Sequence, residues 1–350
     1  MKTLIRAAVI ILAAMLFYAC SKNELIEERI PPGDPFEIPA WDYSTSHYWV
    51  DTSYIPFYEM FYLSEPPTIT PAMQQAQIIE EEVWVELVGA FNENSYNAVS
   101  YISLSPRGNG YDSSFRNSSS IPGSIEGSRM VRLRSWEYTL MADGYLGIVG
   151  LDKPILGQQI IGAAYRRADG QQFGEFLRDV PRDSAGVPAR LILKMVKPRN
   201  LTYNGRNYPV AWNQLVKSIY SLNMHQVEKR DFVLDVLRVV PGSGSVTTII
   251  GFHLLQVLSL DRFDSEGAPR PDTRFDFRPQ RTIDQERGLI IFPQVRPFDK
   301  GIQRYFAQQG ISINDTNEYL FRGMYDTTKT FSQQDELRNR YVIKGRAFHN

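Results

Sequence analysis

Short apolar or alternating runs, each closed by Gly, Pro, Asn, Asp or Ser, recur from residue 82 to the end of the chain, and they leave little room for long helices. Glu82-Val83-Trp84-Val85-Glu86-Leu87-Val88 alternates in polarity and predicts a strand. Val99–Leu104, Met130–Arg134, Tyr145–Leu151 and Ile160–Tyr165 continue the set, with a polar Gly/Ser/Asn loop over 105–128. Asp169-Gly170 is a tight-turn signal between Tyr165 and Phe173. Leu191–Val196 predicts a buried strand, and Phe232–Val240 an alternating one turned by Pro241–Ser245. His253–Leu260 suits strand or helix, Gly288–Pro293 predicts a short buried strand, Gly301–Gln309 a short helix and Asn339–Phe348 a last strand. One further helix is expected over Ala211–Tyr220, where Trp212, Leu215, Val216 and Ile219 recur at helical intervals behind Pro209. The predicted fold is mainly β: two β-sandwich-like modules, at 78–228 and 229–350, with a short helical segment between them. The second module is expected to be cut short at Asn350.

The N-terminus carries a different kind of signal. Lys2 and Arg6 precede an apolar run over Ala7–Ala19, and Cys20 follows. A basic start, a short apolar stretch and a small residue before the cut form a signal peptide. The run is short of the roughly 20 residues a membrane span needs. Phe17-Tyr18-Ala19-Cys20 resembles a bacterial lipobox, with Phe17 where such sites carry Leu, Val or Ile. Cys20 is also the chain's one cysteine, so an intramolecular disulfide is excluded. Residues 1–20 are therefore expected to direct export, and Cys20 to be the lipid attachment site. Ser21–Glu24 with Glu27-Glu28 resembles the surface-export signal of Bacteroidetes lipoproteins.

Residues 21–77 read as a proline- and aromatic-rich tether and linker. Pro31-Pro32-Gly33-Asp34-Pro35 opposes both helix and central strand. Trp41, Tyr43, Tyr48, Trp49, Tyr54, Tyr58 and Tyr62 follow. They either pack an irregular segment onto the core, the reading favoured here, or stack on sugars.

With 38 basic against 39 acidic residues, the chain lacks the electrostatic footprint of a nucleic-acid binder. The absence of a second long apolar run excludes membrane helices and says nothing of a β-barrel. Catalytic patterns are missing. His47, His225, His253 and His349 share no metal-binding helical spacing, and no nucleophile elbow occurs. Gly242-Ser243-Gly244-Ser245 lacks the Gly-Lys-Ser/Thr ending of a phosphate loop and reads as a turn. Asp261, Asp264, Glu266, Asp272 and Asp276 are either a turn-forming acidic loop, the favoured reading, or calcium ligands without the usual spacing. Asp183-Ser184-Ala185 and Asp326-Thr327-Thr328 fit an O-glycosylation pattern of Bacteroidetes exported proteins. No catalytic residue, cofactor or metal is expected.

Several stretches occur in an order that carries a resemblance. Glu82–Val85 comes first, then Tyr145–Ile148, Ile161–Tyr165 and Phe173-Gly174-Glu175-Phe176. Leu191–Met195 follows, with Trp212 and Lys217-Ser218-Ile219-Tyr220-Ser221-Leu222. Leu258–Phe263, Pro271–Phe277, Gly288–Pro293, Pro297-Phe298, Met324–Lys329 and Asn339–Gly345 complete the series. Together they resemble the N-terminal module of the SprA/Sov family, the outer-membrane translocon of type IX secretion and gliding motility. The chain departs from the family at Arg296 (usually Glu), Asp299 (usually Gly), Thr273 (usually Gly) and Ser218 (usually Asn). It holds one copy of the module, and family members do not usually begin with a lipidated cysteine. The resemblance implies a non-enzymatic envelope protein at the outer membrane, and Cys20 adds the expectation of a lipid anchor, on either face. Its implied partners are secretion or motility proteins, or exported clients. The alternative is a surface lipoprotein that binds glycans through Trp41 or Trp49.

Overall fold

The computed structural model describes residues 33–90, 93–108, 113–203 and 209–349; Cys20, the signal segment and tether residues 21–32 lie outside the described residues. Strands β1 (Asp34–Pro39) and β2 (His47–Trp49) precede helices Ile55–Leu63 and Pro71–Ala76. Then come β3 (Ile78–Glu86), β4 (Ser95–Tyr101), β5 (Ile125–Arg132), β6 (Tyr138–Leu140), β7 (Ile148–Leu151), β8 (Ile161–Arg167), β9 (Gln172–Phe173) and β10 (Leu191–Lys197). Helix Pro209–Gln214 leads to β11 (Ile219–Ser221), β12 (Val233–Val240), β13 (Gly244–Val246), β14 (Thr248–Ile249) and β15 (Phe252–His253). After helix Leu254–Val257 come β16 (Ile283–Asp284), β17 (Leu289–Ile291), four short helices from Ile302 to Gln334, and β18 (Tyr341–Ala347). The chain is mainly β, as its patterning predicts. Among the described residues no helix is long and apolar enough to cross a membrane.

Five strands close on themselves in the order β3-β5-β4-β10-β8, because β8 pairs with both β3 and β10. The result is a small barrel, antiparallel except at β4–β10. The alternation of β3 encodes two surroundings. Trp84 joins Ala98, Met130, Ala164, Leu191 and Leu193 in a cluster supplied by all five strands, the barrel interior. Val83 and Val85, with Ile161, Ala163 and Tyr165 of β8, face outward into the principal core. β10 is buried along its whole length, as expected for a strand covered on both faces. Its lysines meet that burial with hydrogen bonds. Lys194 reaches Ile102 O and pairs with Asp51 at 2.8 Å, and Lys197 donates to Gly157 O and Gln159 O at 2.6 and 2.8 Å. At the predicted Asp169-Gly170 turn, Gly170 takes φ +87° and Tyr165 stacks on Phe173 at 4.9 Å.

Beside the barrel lies a body of smaller sheets and short helices. Its largest sheet runs β1-β18-β12-β13, and the smaller sheets are β2-β7-β6, β11-β17-β16 and β14-β15. A single core cluster extends through this body from Phe36 to Ala347.

Several expectations need correcting. Residues 34–39, read as tether, form strand β1 paired with β18 from Asp34↔Ala347 to Pro39↔Val342. Pro35 and Pro39 are tolerated because β1 is an edge strand. Residues 41–76 are folded onto the core, so the linker reading of 21–77 does not hold for its described part. The boundary drawn at 228/229 does not divide the sheets, because β11 pairs with β17 across it and β1 pairs with β18. The helix expected over Ala211–Tyr220 ends at Gln214. Lys217 Nζ takes the carbonyls of Trp212 and Leu215, and β-branched Ile219 enters a strand beside Ile291. It also has more company than the sequence suggested, since Ile55–Leu63, Pro71–Ala76 and Lys329–Gln334 are helical too.

Candidate functional site

The aromatic residues of 41–62 do not form a binding surface. Tyr43, Tyr48, Trp49, Tyr54, Tyr58 and Tyr62 are all buried, and Trp41 packs partly buried against the same core. Their polar tips hold the scaffold: Tyr54 donates to Ala76 O at 2.6 Å, and Tyr58 to Phe292 O at 2.9 Å. Trp49 meets Tyr58 edge-on at 5.8 Å. Glycan stacking on Trp49 is thereby excluded, and the packing reading of this segment holds.

The acidic loop uses its carboxylates on its own backbone. Asp261 accepts from the N–H groups of Asp272 and Thr273, both at 2.9 Å, and Asp276 accepts from Arg262 N at 2.7 Å. Asp264 accepts from Glu266 N and Ala268 N and pairs with Arg270 at 2.6 Å. Burial pushes Asp276 up to about 6 and raises Asp261 as well. Among the described residues no group of three His, Cys, Asp or Glu is arranged to hold a metal ion. Gly242–Ser245 is the β12–β13 turn, with Gly242 and Gly244 at positive φ. Of the glycosylation-type motifs, Ser184 is exposed, while the Thr327 hydroxyl is tied to Gly323 O at 2.7 Å. The histidines stay apart: His47 is buried beside Ser44, His253 lies 3.7 Å from Asp235, and His349 lies 2.9 Å from Asp34.

Segments far apart in the sequence converge on one another around Trp212 and Tyr325. Trp212 Nε1 donates to Tyr325 O at 2.6 Å, and Lys217 Nζ lies 4.6 Å over the Trp212 ring. Burial pushes Lys217 down to about 7, helped by Arg296 and opposed by Asp326. Arg296 stacks on Tyr325 at 4.7 Å and bonds both Asp326 and Asp299 at 2.9 Å. Tyr325 in turn accepts Phe298 N at 3.0 Å. This cluster is a packed joint between distant segments.

The surface with room for a ligand lies elsewhere, where the β3–β5 ladder leaves the barrel. A groove of about 1150 Å³ runs between Glu81–Val88, the Val131–Tyr138 turn and the segment Lys153–Leu156. Trp136 stands at its mouth, 69 % exposed, with Leu156 and Val88 also open to solvent. The turn that carries Trp136 is held on both sides. Arg134 N donates to Glu137 Oε2 and Glu137 N to Arg134 O, each at 2.9 Å. Arg134 lies over the indole at 5.2 Å. Most carboxylates of the groove already hold a cation: Glu82 pairs with Arg132 at 2.8 Å, Glu137 with Lys153 at 3.2 Å, and Glu86 with Arg199. Glu81 is the exception. It accepts one hydrogen bond from Tyr138 at 3.2 Å, and burial raises its pKa.

Sequence reasoning passed over Trp136, although a signal was present. It is a tryptophan in Arg134-Ser135-Trp136-Glu137, a polar turn with no apolar neighbours to bury it. A second depression, of about 1000 Å³, lies between β12 and residues 263–281. There Phe232 packs against Phe275 and Phe277, and Arg278 covers Phe263 at 4.3 Å. No protein-family model matches this chain, and no curated protein matches it.

Proposed function

We propose that this chain is a non-enzymatic protein of the bacterial cell envelope, related to the N-terminal module of the type IX secretion translocon. In this reading it acts in protein secretion and gliding motility by contacting other secretion proteins or exported clients. Lipid on Cys20 holds it at the outer membrane. The observation that carries the reading is the joint around Trp212, Phe298 and Tyr325. Stretches that resemble the family over more than 100 residues of sequence meet there through one another's carbonyls, rings and charges. Residues kept in common for chemistry would gather at an open cleft. These gather in the packed interior, as residues that specify a scaffold do.

The test is native extraction of a tagged full chain from outer membranes, with mass spectrometry of what co-purifies, paired with a deletion strain. Retention of secretion-machinery proteins and accumulation of undelivered exported proteins in the deletion strain are expected. A chain that purifies alone, from a strain whose secretion and gliding are intact, would overturn the reading. Lipidation is tested separately: labelled palmitate should enter the wild type and be absent from Cys20→Ala, and equal labelling of both would remove the anchor.

A further inference from the structure

We infer that the groove beside the barrel is a binding site for a neutral oligosaccharide, with Trp136 as its stacking plate and Glu81 as its principal hydroxyl acceptor. This does not rest on the secretion reading, nor on the buried aromatics of residues 41–62.

The starting point is the cost of leaving an indole in water. Trp49, Trp84 and Trp212 are buried and Trp41 is partly so, whereas Trp136 is 69 % exposed. Large exposed aromatics held at the mouth of a concave surface mark contact sites. Trp136 is presented by an ordered turn. Its neighbours Arg134 and Glu137 exchange two backbone-directed hydrogen bonds, and Glu137 O accepts Asp152 N at 3.0 Å. Such a plate loses little freedom when a ligand stacks on it. Arg134 occupies one side of the ring, and the exposure belongs to the rest.

Charge and hydrogen bonding then select the ligand. An anionic headgroup or phosphate needs an uncommitted cation, but Arg132 and Lys153 are already paired with Glu82 and Glu137, and the guanidinium of Arg134 lies over the Trp136 ring. A cationic ligand would find Glu82, Glu86 and Glu137 paired, and burial disfavours the charged form of Glu81. An extended peptide gains affinity by pairing with a free strand edge. Strands β3 and β5 spend theirs on each other, with Trp84↔Arg132, Val85↔Val131 and Glu86↔Met130 in register, and β6, an edge strand whose Tyr138 lines the groove, is only three residues long. A lipid chain would require continuous apolar walls, and here charged side chains from Glu81, Glu82, Glu86, Arg132, Arg134, Glu137 and Lys153 interrupt the apolar lining. A neutral sugar meets each condition: its C–H face suits the indole, and its hydroxyls donate without bringing charge. Glu81, with a single donor at 3.2 Å and a partly desolvated carboxylate, has acceptor capacity left for them. The groove volume of about 1150 Å³ exceeds what one small ligand fills, which favours a chain of several rings.

The experiment is calorimetric titration of the detergent-solubilised full chain with neutral hexasaccharides: laminari-, malto-, cello-, manno- and chitohexaose. Binding of at least one is expected, weakened tenfold or more by Trp136→Ala and less by Trp136→Phe. Glu81→Gln should weaken the same sugar severalfold. Since Trp136 is exposed, Trp136→Ala should keep the wild-type melting temperature, which separates lost contact from lost fold. No binding across the panel would overturn the inference, as would binding indifferent to Trp136→Ala. So would binding of an anionic polysaccharide in preference to all neutral ones. Secretion defects in a deletion strain have no bearing on any of these outcomes.

Discussion

Thr273 adopts φ +67°. A β-branched residue is a poor occupant of that left-handed region. Here it is held because its N–H and that of Asp272 both reach the Asp261 carboxylate. Thr273→Gly should therefore raise stability by about 1 kcal/mol, the strain relieved exceeding the added chain entropy; denaturant titration measures it, and a loss of stability would deny the strain. Arg296 and Asp299 pair with each other at 2.9 Å, so their charges compensate locally. His47 supplies a pH dependence. Burial pushes it down to about 4, against Asp152 and Asp284, which raise it, and with Arg287, which lowers it. The unfolded chain takes up this proton below about pH 6.5 while the folded chain refuses it until about pH 4. Stability contributed by His47 is thus complete above pH 6.5 and lost between 6.5 and 4, on the order of 3 kcal/mol in all. Unfolding titrations across that range should show the slope, and His47→Gln should flatten it; an unchanged slope would place the acid sensitivity elsewhere. Trp49 shows the limit of residue-level reading: its sequence neighbourhood gives no sign of whether it meets a sugar or Tyr58.

The longer strands were legible through period-two alternation, which in Phe232–Val240 reports a half-buried surface and in Glu82–Val88 two buried surroundings. Partners were not legible, because pairing is long-range. Nothing local to Asp34–Pro39 announces that its complement lies at Tyr341–Ala347. The helix after Pro209 was found but overextended, since tertiary pairing of Ile219 with Ile291 outweighs helical spacing. Gly345 shows what the β1–β18–β12 sheet demands. It faces Phe36 on one side and Leu234 on the other, and a Cβ there would lie 1.9 Å from Val233 O and 2.5 Å from the Phe36 ring. Gly345→Val should cost about 3 kcal/mol by overpacking and release β1. Limited proteolysis should then cut first near residues 33–40, and an uncut, fully stable variant would show that the sheet can yield there.

At the scale of the whole molecule, composition and patterning gave the class, mainly β with few helices. Closure of the barrel and the continuity of the core were hidden, because both depend on contacts far apart in sequence. The core running from Phe36 to Ala347, and β11–β17 pairing across residue 228, lead to a concrete expectation. A fragment of residues 229–350 should lack dispersed amide resonances, because β17 and β18 would lose β11 and β1. A well-dispersed spectrum of that fragment would restore the two-module division. The β1–β18 ladder has one more consequence. Asp34 faces Ala347 and bonds His349, so the start of β1 and the end of β18 lie at one spot. Tension between those two points would open the ladder rung by rung, like a zipper pulled from its end.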